Sequence, residues 1–417
     1  MGAKKQSYDV IVVGGGIAGL SLTALLAAGG GRVLCLDREK VETQLAEKFD
    51  GRTTAISYGS RLILQAAGLW EALENEACAI DTIEILDGDS PTLLTFNSRE
   101  AGGNSFGWIV ENRRLRQTLL ARVKALKTAE HRAQAAVADF ERDEDGVAVI
   151  LADGKKFHAP LVVGADGRQS FTRESMGIGT RTWPYNQRAI VCVAAHEKPH
   201  DNVAVEHFRH EGPFAILPMA DDADGQHRSS IVWTEHGPES ESALRYNQIS
   251  FDAALTARFP QRYGRAWQCG QRFSYPLGLT HAHDYIAPRM ALVAEAAHAI
   301  HPIAGQGLNI GLRDIAVLAD LVMTAVRDGK DPGTDDLLQA YQRQRRMDNM
   351  AMAGATDTLN RLFSNDIGPV RLARRVGLRA VSRLPFAKQF FMKQAMGAVG
   401  ILPDLIRDHL PATDKAA

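Results

Sequence analysis

The chain is poor in cysteine. Its 417 residues hold four, Cys35, Cys78, Cys192 and Cys269, and none belongs to a CxxC pair. That spacing excludes a disulfide framework and the common structural zinc sites, and it fits a reducing compartment in which the cysteines serve as small buried hydrophobes. Neither sign of charge is in excess, with 48 Lys and Arg against 49 Asp and Glu, so no basic field calls for nucleic acid. No apolar run approaches the roughly 18–20 residues that span a bilayer. The opening MGAKKQSYDV has no apolar signal core, and it carries Gln6 where a myristoylation pattern needs Ser or Thr. Internal repeats and low-complexity segments are also lacking. What remains, 45% hydrophobic and 23% charged residues, is the composition of an ordinary soluble enzyme. The length allows two or three domains at roughly 150 residues each.

Glycine, by contrast, is concentrated where it carries information. Residues 8–37 read YDVIVVGGGIAGLSLTALLAAGGGRVLCLD. An apolar strand (Val10–Val13) runs into Gly14-x-Gly16-x-x-Gly19, a Leu/Ala helix follows, and a second apolar strand (Val33–Leu36) ends on Asp37. This is the order of a dinucleotide-binding βαβ unit. Gly14 permits the tight turn, Gly16 lets the backbone approach a pyrophosphate, and Gly19 lets the helix pack on the strand. The helix start, Ile17 and Ala18, presents unpaired N–H groups to the phosphates, and Asp37 stands where a carboxylate binds a ribose hydroxyl.

Farther along, the pattern changes without a linker. Residues 109–127 read as a strand end and an amphipathic helix, and 135–165 as strands with a hairpin-like Asp153-Gly154. From Arg188 to about Tyr275 the chain is mostly β, with one helical stretch near 240–259. From Ala291 it returns to α/β and then becomes helical. The expected architecture is α/β: a Rossmann-like domain interleaved with a sheet-rich domain, plus a C-terminal helical region. The nucleotide domain takes residues 1–75, 106–180 and 276–340, the second domain 76–105 and 181–275, and the helical region 341–417.

Two later stretches share the logic of a buried strand that ends in an acid and a glycine. One is Leu161-Val-Val-Gly-Ala-Asp166-Gly167, with Arg173 just beyond. The other runs from Ala291 through Glu295, His298, His301-Pro302 and Gly305-Gln306-Gly307-Leu308-Asn309 to Arg313-Asp314, with a helix expected to begin near Leu308. His298 and His301 invite a metal reading, but no third ligand has suitable spacing, so no metal is expected.

In this order, the GxGxxG unit, the DG segment and the acid before AAHxxHPxxGQGLNxGLRD resemble the FAD-dependent aromatic hydroxylases of the para-hydroxybenzoate hydroxylase fold. Within these the chain is similar to the ubiquinone-biosynthesis hydroxylases of the UbiH/UbiF/VisC type. Further matches are Asp50-Gly51-Arg52, Ala55-Ile56-Ser57, Gly68-Leu69-Trp70, residues 107–112, the segment from Gly212-Pro213 to Leu217-Pro218, and Tyr341, Arg345, Asp348, Asp357 and Leu362-Phe363-Ser364. They cover residues 8 to about 400. The family usually has Gly-Asp where this chain has Ala294-Glu295.

The resemblance implies a flavoprotein monooxygenase. NAD(P)H would reduce FAD, O₂ would add to form a flavin hydroperoxide, and one oxygen atom would pass to the ring of a polyprenylated phenol or quinone precursor. Gly14, Gly16, Ile17, Ala18, Gly19, Asp37, Arg38, Arg52, Arg116, Asp166 and Glu295 would hold the adenine, phosphate and ribityl parts of FAD. Gly305, Gly307, Leu308 and Asn309 would lie at the flavin's pyrimidine edge, and His301, Pro302 and Gln306 at its reacting front. Basic and apolar residues within 371–410 would suit a helix at an anionic lipid surface, placing the protein in the cytoplasm with peripheral contact to the inner membrane face, beside other ubiquinone-biosynthesis proteins. The competing readings are a same-fold enzyme acting on another aromatic and a flavin-binding accessory subunit.

Overall fold

The structure, a computed structural model, describes residues 8–44, 51–88, 93–209, 211–237, 242–300, 305–363 and 368–397. Its first sheet has six strands in the order 286–287, 290–292, 161–164, 10–13, 33–36, 129–132. Val10–Val13 lies at its centre, parallel to both Leu161–Gly164 and Val33–Leu36. All three strands are buried along their whole length, the condition of parallel strands covered on both faces, which explains their unbroken apolar runs. Helix Ile17–Ala28 packs between this sheet and the 22-residue helix Gln306–Arg327. Cys35 sits in this core, where burial pushes its thiol up to about 12.

The second sheet has eight strands in the order 298–299, 266–282, 180–196, 228–236, 212–219, 203–209, 82–87, 94–97. Its two faces divide the molecule. Ile190, Cys192, Val205, Phe214, Ile216, Ile231 and Trp233 point outward into a core closed by Phe251 and Leu255. These last two lie on helix Gln248–Arg258, which is shorter than the sequence predicts because Asn247 caps it, its Oδ1 accepting from Ser250 N at 2.8 Å. Val193, Ala204 and Met219 point inward and join the core that packs on the first sheet. A separate three-stranded sheet, in the order 53–57, 107–111, 78–80, meets the second sheet where Thr53 Oγ1 donates to Ser230 Oγ at 2.6 Å.

Helices Asp335–Phe363, Gly368–Arg383 and Pro385–Ala395 complete the fold. The last two are anchored by a buried ion pair between Arg374 and Asp87, by Lys388 to Glu100 at 2.7 Å, and by Gly59 N donating to Met396 O at 2.9 Å.

Candidate functional site

The glycines of the first turn do different work. Gly14 has φ +109°, and a Cβ there would lie 2.5 Å from Ala165 O. A Cβ at Gly19 would sit 1.8 Å from Gly14 O. These two are required by the protein's own packing. Gly15, which the motif leaves unspecified, is equally constrained, since its Cβ would meet Asp37 Oδ2 at 2.3 Å. Gly16 is the exception, with nothing within 4 Å of the position a Cβ would take. It faces open space at a helix start that has no side-chain cap and no acid in its first turn. Asp37 is buried at the end of its strand, Oδ1 accepting from Glu39 N at 3.0 Å. Around this turn, Arg38 is exposed and Arg52 half-buried. Arg116 is half-buried on helix Asn112–Ala125, which packs on the Ile17–Ala28 helix.

The DG segment and the Glu295 turn are brought together. Asp166 accepts from Ser170 Oγ, and from Thr172 N and Oγ1, both at 2.9 Å, so its carboxylate shapes the turn into helix Phe171–Ser175. Gly167, φ +84°, is open beside it. The buried Arg173 donates to Arg168 O and Ala296 O, each at 2.9 Å, and ties the two turns to each other. Glu295 is half exposed and meets Arg168 Nε at 3.1 Å. Ala294 adopts φ +54°, a left-handed conformation costly for a residue with a Cβ. Its Cβ occupies space that only a glycine at 311 leaves free, because a Cβ at Gly311 would come within 2.7 Å of it.

The long helix begins at Gln306, two residues before the expected start, because Gly305 at φ +62° serves as its N-cap. No side chain caps it, and Gly307 has open space where a Cβ would be. Asn309 spends its side chain inside the protein: Oδ1 accepts from Ser57 N at 2.9 Å, and Nδ2 donates to Ala55 O and Gly305 O, each at 2.9 Å. It thereby locks the helix start to strand Thr53–Ser57. Gln306 is buried and Leu308 half-buried against the core. His301 and Pro302 lie outside the described residues.

Behind this helix start is a buried polar network that the sequence motifs contain but do not announce. Asp314 Oδ1 accepts from Arg345 Nε at 2.8 Å and Asn349 Nδ2 at 2.9 Å; Oδ2 accepts from Ala294 N at 3.1 Å and lies 2.5 Å from His298 Nε2. Arg345 also reaches Asp348 at 2.7 Å and Asn349 Oδ1 at 2.8 Å. Complete burial opposes ionisation of Asp314, but His298 and Arg345 outweigh it and hold the carboxyl well below its usual range. His298 is therefore committed to Asp314. A cleft of about 440 Å³ opens along the strand that pairs with His298, lined by Trp183, Leu279, His281, Met350 and Arg361.

Two uncapped helix starts with open glycines and a half-buried cation, all donors, together with a buried carboxylate acceptor after the second strand, fit a flavin dinucleotide. The chain matches the FAD binding domain family over residues 7–356. It is 46% identical over 403 residues to ubiquinone hydroxylase UbiL of Rhodospirillum rubrum, covering 97% of this chain and 92% of that one. To 3-demethoxyubiquinol 3-hydroxylase of Escherichia coli it is 30% identical, covering 94% and 99%. The chain belongs to the FAD-dependent ubiquinone hydroxylase family. The crystal structure of p-nitrophenol 4-monooxygenase PnpA from Pseudomonas putida superposes with a TM-score of 0.77 at 17% identity, over 94% of this chain and 98% of that one, which shows the fold. Members of the family are FAD-dependent monooxygenases with NAD(P)H as the usual donor. In this member the first helix start would hold the pyrophosphate, Asp37 the ribose, and the Gln306 helix start the flavin ring.

Proposed function

We propose that the protein hydroxylates the aromatic ring of a polyprenylated phenol in ubiquinone biosynthesis, using FAD, NAD(P)H and O₂. The observation that carries this is the 46% identity to a ubiquinone hydroxylase along nearly the whole of both chains. FAD, when bound, supplies the oxidising chemistry. The chain's own residues do the rest. Gly14 to Gly19 admit the phosphates, and Asp37 and Glu295 take ribose and ribityl hydroxyls. Arg52, Arg116 and Asp166 would complete the phosphate and ribose contacts. The backbone N–H groups from Gly305 to Asn309 would present a fixed dipole to a bound flavin, stabilising negative charge on it at no cost in reorganisation. Gln306 would border the reacting face, and His301 and Pro302 are assigned there by the family resemblance alone. The inner face of the eight-stranded sheet would form the floor on which the ring lies and would shield it from water.

The test is incubation of FAD-loaded protein with NAD(P)H, O₂ and a polyprenylphenol, followed by mass spectrometry. A product heavier by one oxygen atom is expected, with stoichiometric NAD(P)H oxidation. Oxidation of NAD(P)H without that product would overturn the reading.

The prenyl chain of such a substrate stays in a bilayer, so we also propose that the enzyme meets it at the membrane surface. Among the described residues no helix is long and apolar enough to cross a membrane. The C-terminal helices instead expose Val376, Phe386, Phe390 and Phe391, and Leu384 is exposed between them.

A further inference from the structure

Glu206 stands on the inner face of the eight-stranded sheet. Its register partners are Ile85 on one side and Ala215 on the other, and the same row continues through Val232 and Val191 to Phe273. Alternation along the strand puts Val205 in the outer core and Ala204 in the inner one, so Glu206 points inward. Between Glu206 and Phe273 the floor is made of small side chains. Two contacts place that floor below the flavin site: Thr53 bonds Ser230, one row along, and a Cβ at Gly51 would lie 2.8 Å from the Phe273 ring. Thr53 shares its strand with Ala55, whose Cβ packs against Gly305.

Glu206 as a residue is half-buried while its carboxyl is surrounded by protein, so it lies at the edge of the packed interior and not within a closed core. Among the described residues no cation or hydrogen-bond donor meets it. The charged groups nearby are engaged elsewhere. Glu84 is on the opposite face with Arg262 at 2.8 Å, His207 on that same outer face reaches Gly88 O at 2.8 Å, and Asp87, one row along the inner face, is held by Arg374. Burial alone pushes the Glu206 carboxyl up to about 7. A buried acid without a partner is costly to the fold, and its natural complement is a hydrogen-bond donor on a ligand.

We propose that Glu206 receives the ring hydroxyl of the aromatic substrate, accepting its hydrogen bond and thereby fixing which edge of the ring faces the flavin. This rests on the prenylated-phenol reading. It adds a selectivity: a ring bearing a carboxylate in place of the hydroxyl would meet like charge.

The experiment titrates FAD-loaded full-length protein with 2-prenylphenol, with its O-methyl ether and with 2-prenylbenzoate, which has a carboxylate in place of the hydroxyl, following the flavin absorption spectrum. Wild type is expected to bind the phenol about tenfold or more tightly over the ether, as for a hydrogen bond to a charged group. The preference should strengthen as pH rises through about 7. Glu206→Leu should bind phenol and ether alike. Glu206→Gln, the same shape without the charge, should keep FAD, lose the pH dependence and gain affinity for 2-prenylbenzoate. A wild type indifferent to methylation, or variants that keep its preference and pH profile, would overturn the role of Glu206 while leaving the substrate reading intact. Binding of neither phenol nor ether would overturn the substrate reading and this inference together.

Discussion

Gly16 differs from its neighbours in what a side chain there would touch, and that difference separates folding from binding. Its backbone is extended, φ −72° and ψ −176°, and the space before it is open. Gly16→Val is therefore expected to fold and melt like wild type while purifying without flavin, whereas Gly19→Val, driven into Gly14 O, should fail to fold. Flavin absorbance with a thermal melt checks both. Glu295 is a partly exposed partner of Arg168, and Glu295→Ala should weaken FAD binding by about 1.5–3 kcal/mol, the scale of a hydrogen bond to a charged group; unchanged affinity in a flavin titration would remove it from the ribityl site. Glu206 makes a stability prediction independent of any ligand. Its carboxyl titrates near 7 when folded against 4.5 ordinarily. Folded protein thus holds the proton more tightly, and the acid's cost is absent below pH 4.5, grows up to pH 7 and persists above it. Glu206→Gln should be more stable than wild type at pH 8 by at most about 3 kcal/mol, and no more stable near pH 4. Urea midpoints at the two pH values decide.

At the scale of elements, the network behind helix Gln306–Arg327 couples it to helix Asp335–Phe363 and to the Ala294-Glu295 turn. Asp314 is the hub. Asp314→Ala removes one of the two carboxylates that meet the buried Arg345, and the one that meets His298, and should cost about 3–5 kcal/mol. Because the folded carboxyl lies below its ordinary 3.8, the stability it contributes is present above that pH and lost as pH falls below it; Asp314→Asn should show a flatter decline in guanidinium midpoint there. The sequence displayed some of this and concealed the rest, for physical reasons. The GxGxxG turn is legible because packing limits on Gly14 and Gly19 and an open approach at Gly16 fall within six residues of chain, and the fold class because buried parallel strands are continuous apolar runs. Asp314, Arg345 and Asp348 stood in visible motifs, but nothing local says that positions 31 residues apart share one carboxylate. Glu206 looked like an ordinary polar residue in an alternating strand. Only the parallel pairing of Val203–Arg209 with Thr82–Asp87, two segments far apart in sequence, turns its face inward. Asp166 was legible as a strand-ending acid, but the local turn that engages both its oxygens was not.

At the scale of the whole molecule, charge is distributed unevenly despite a net of −1. From 367 to 403 the chain contains Arg371, Arg374, Arg375, Arg379, Arg383, Lys388 and Lys393 and no acidic residue. Arg374 and Lys388 are consumed by Asp87 and Glu100 and fasten the two helices to the sheet. Met392, which reads in sequence as one of an apolar trio with Phe390 and Phe391, is buried in the main core, so its loss would damage the fold. The surface that remains is Phe386, Phe390 and Phe391, exposed by 73%, 53% and 44%, with Arg379 and Arg383 exposed on the preceding helix. Aromatic side chains that enter the headgroup boundary and cations that meet anionic lipid act together in interfacial helices, each cation near such a surface contributing about 1 kcal/mol. A protein held this way should float with anionic liposomes at low salt and much less with neutral ones. Phe386→Ser, Phe390→Ser and Phe391→Ser combined should abolish flotation without loss of bound FAD, since none of the three is buried. Arg379→Glu with Arg383→Glu should abolish the lipid-charge dependence in particular. If the intact FAD-loaded protein ignores anionic liposomes, or the triple variant floats as well as wild type, the C-terminal helices are not the membrane contact.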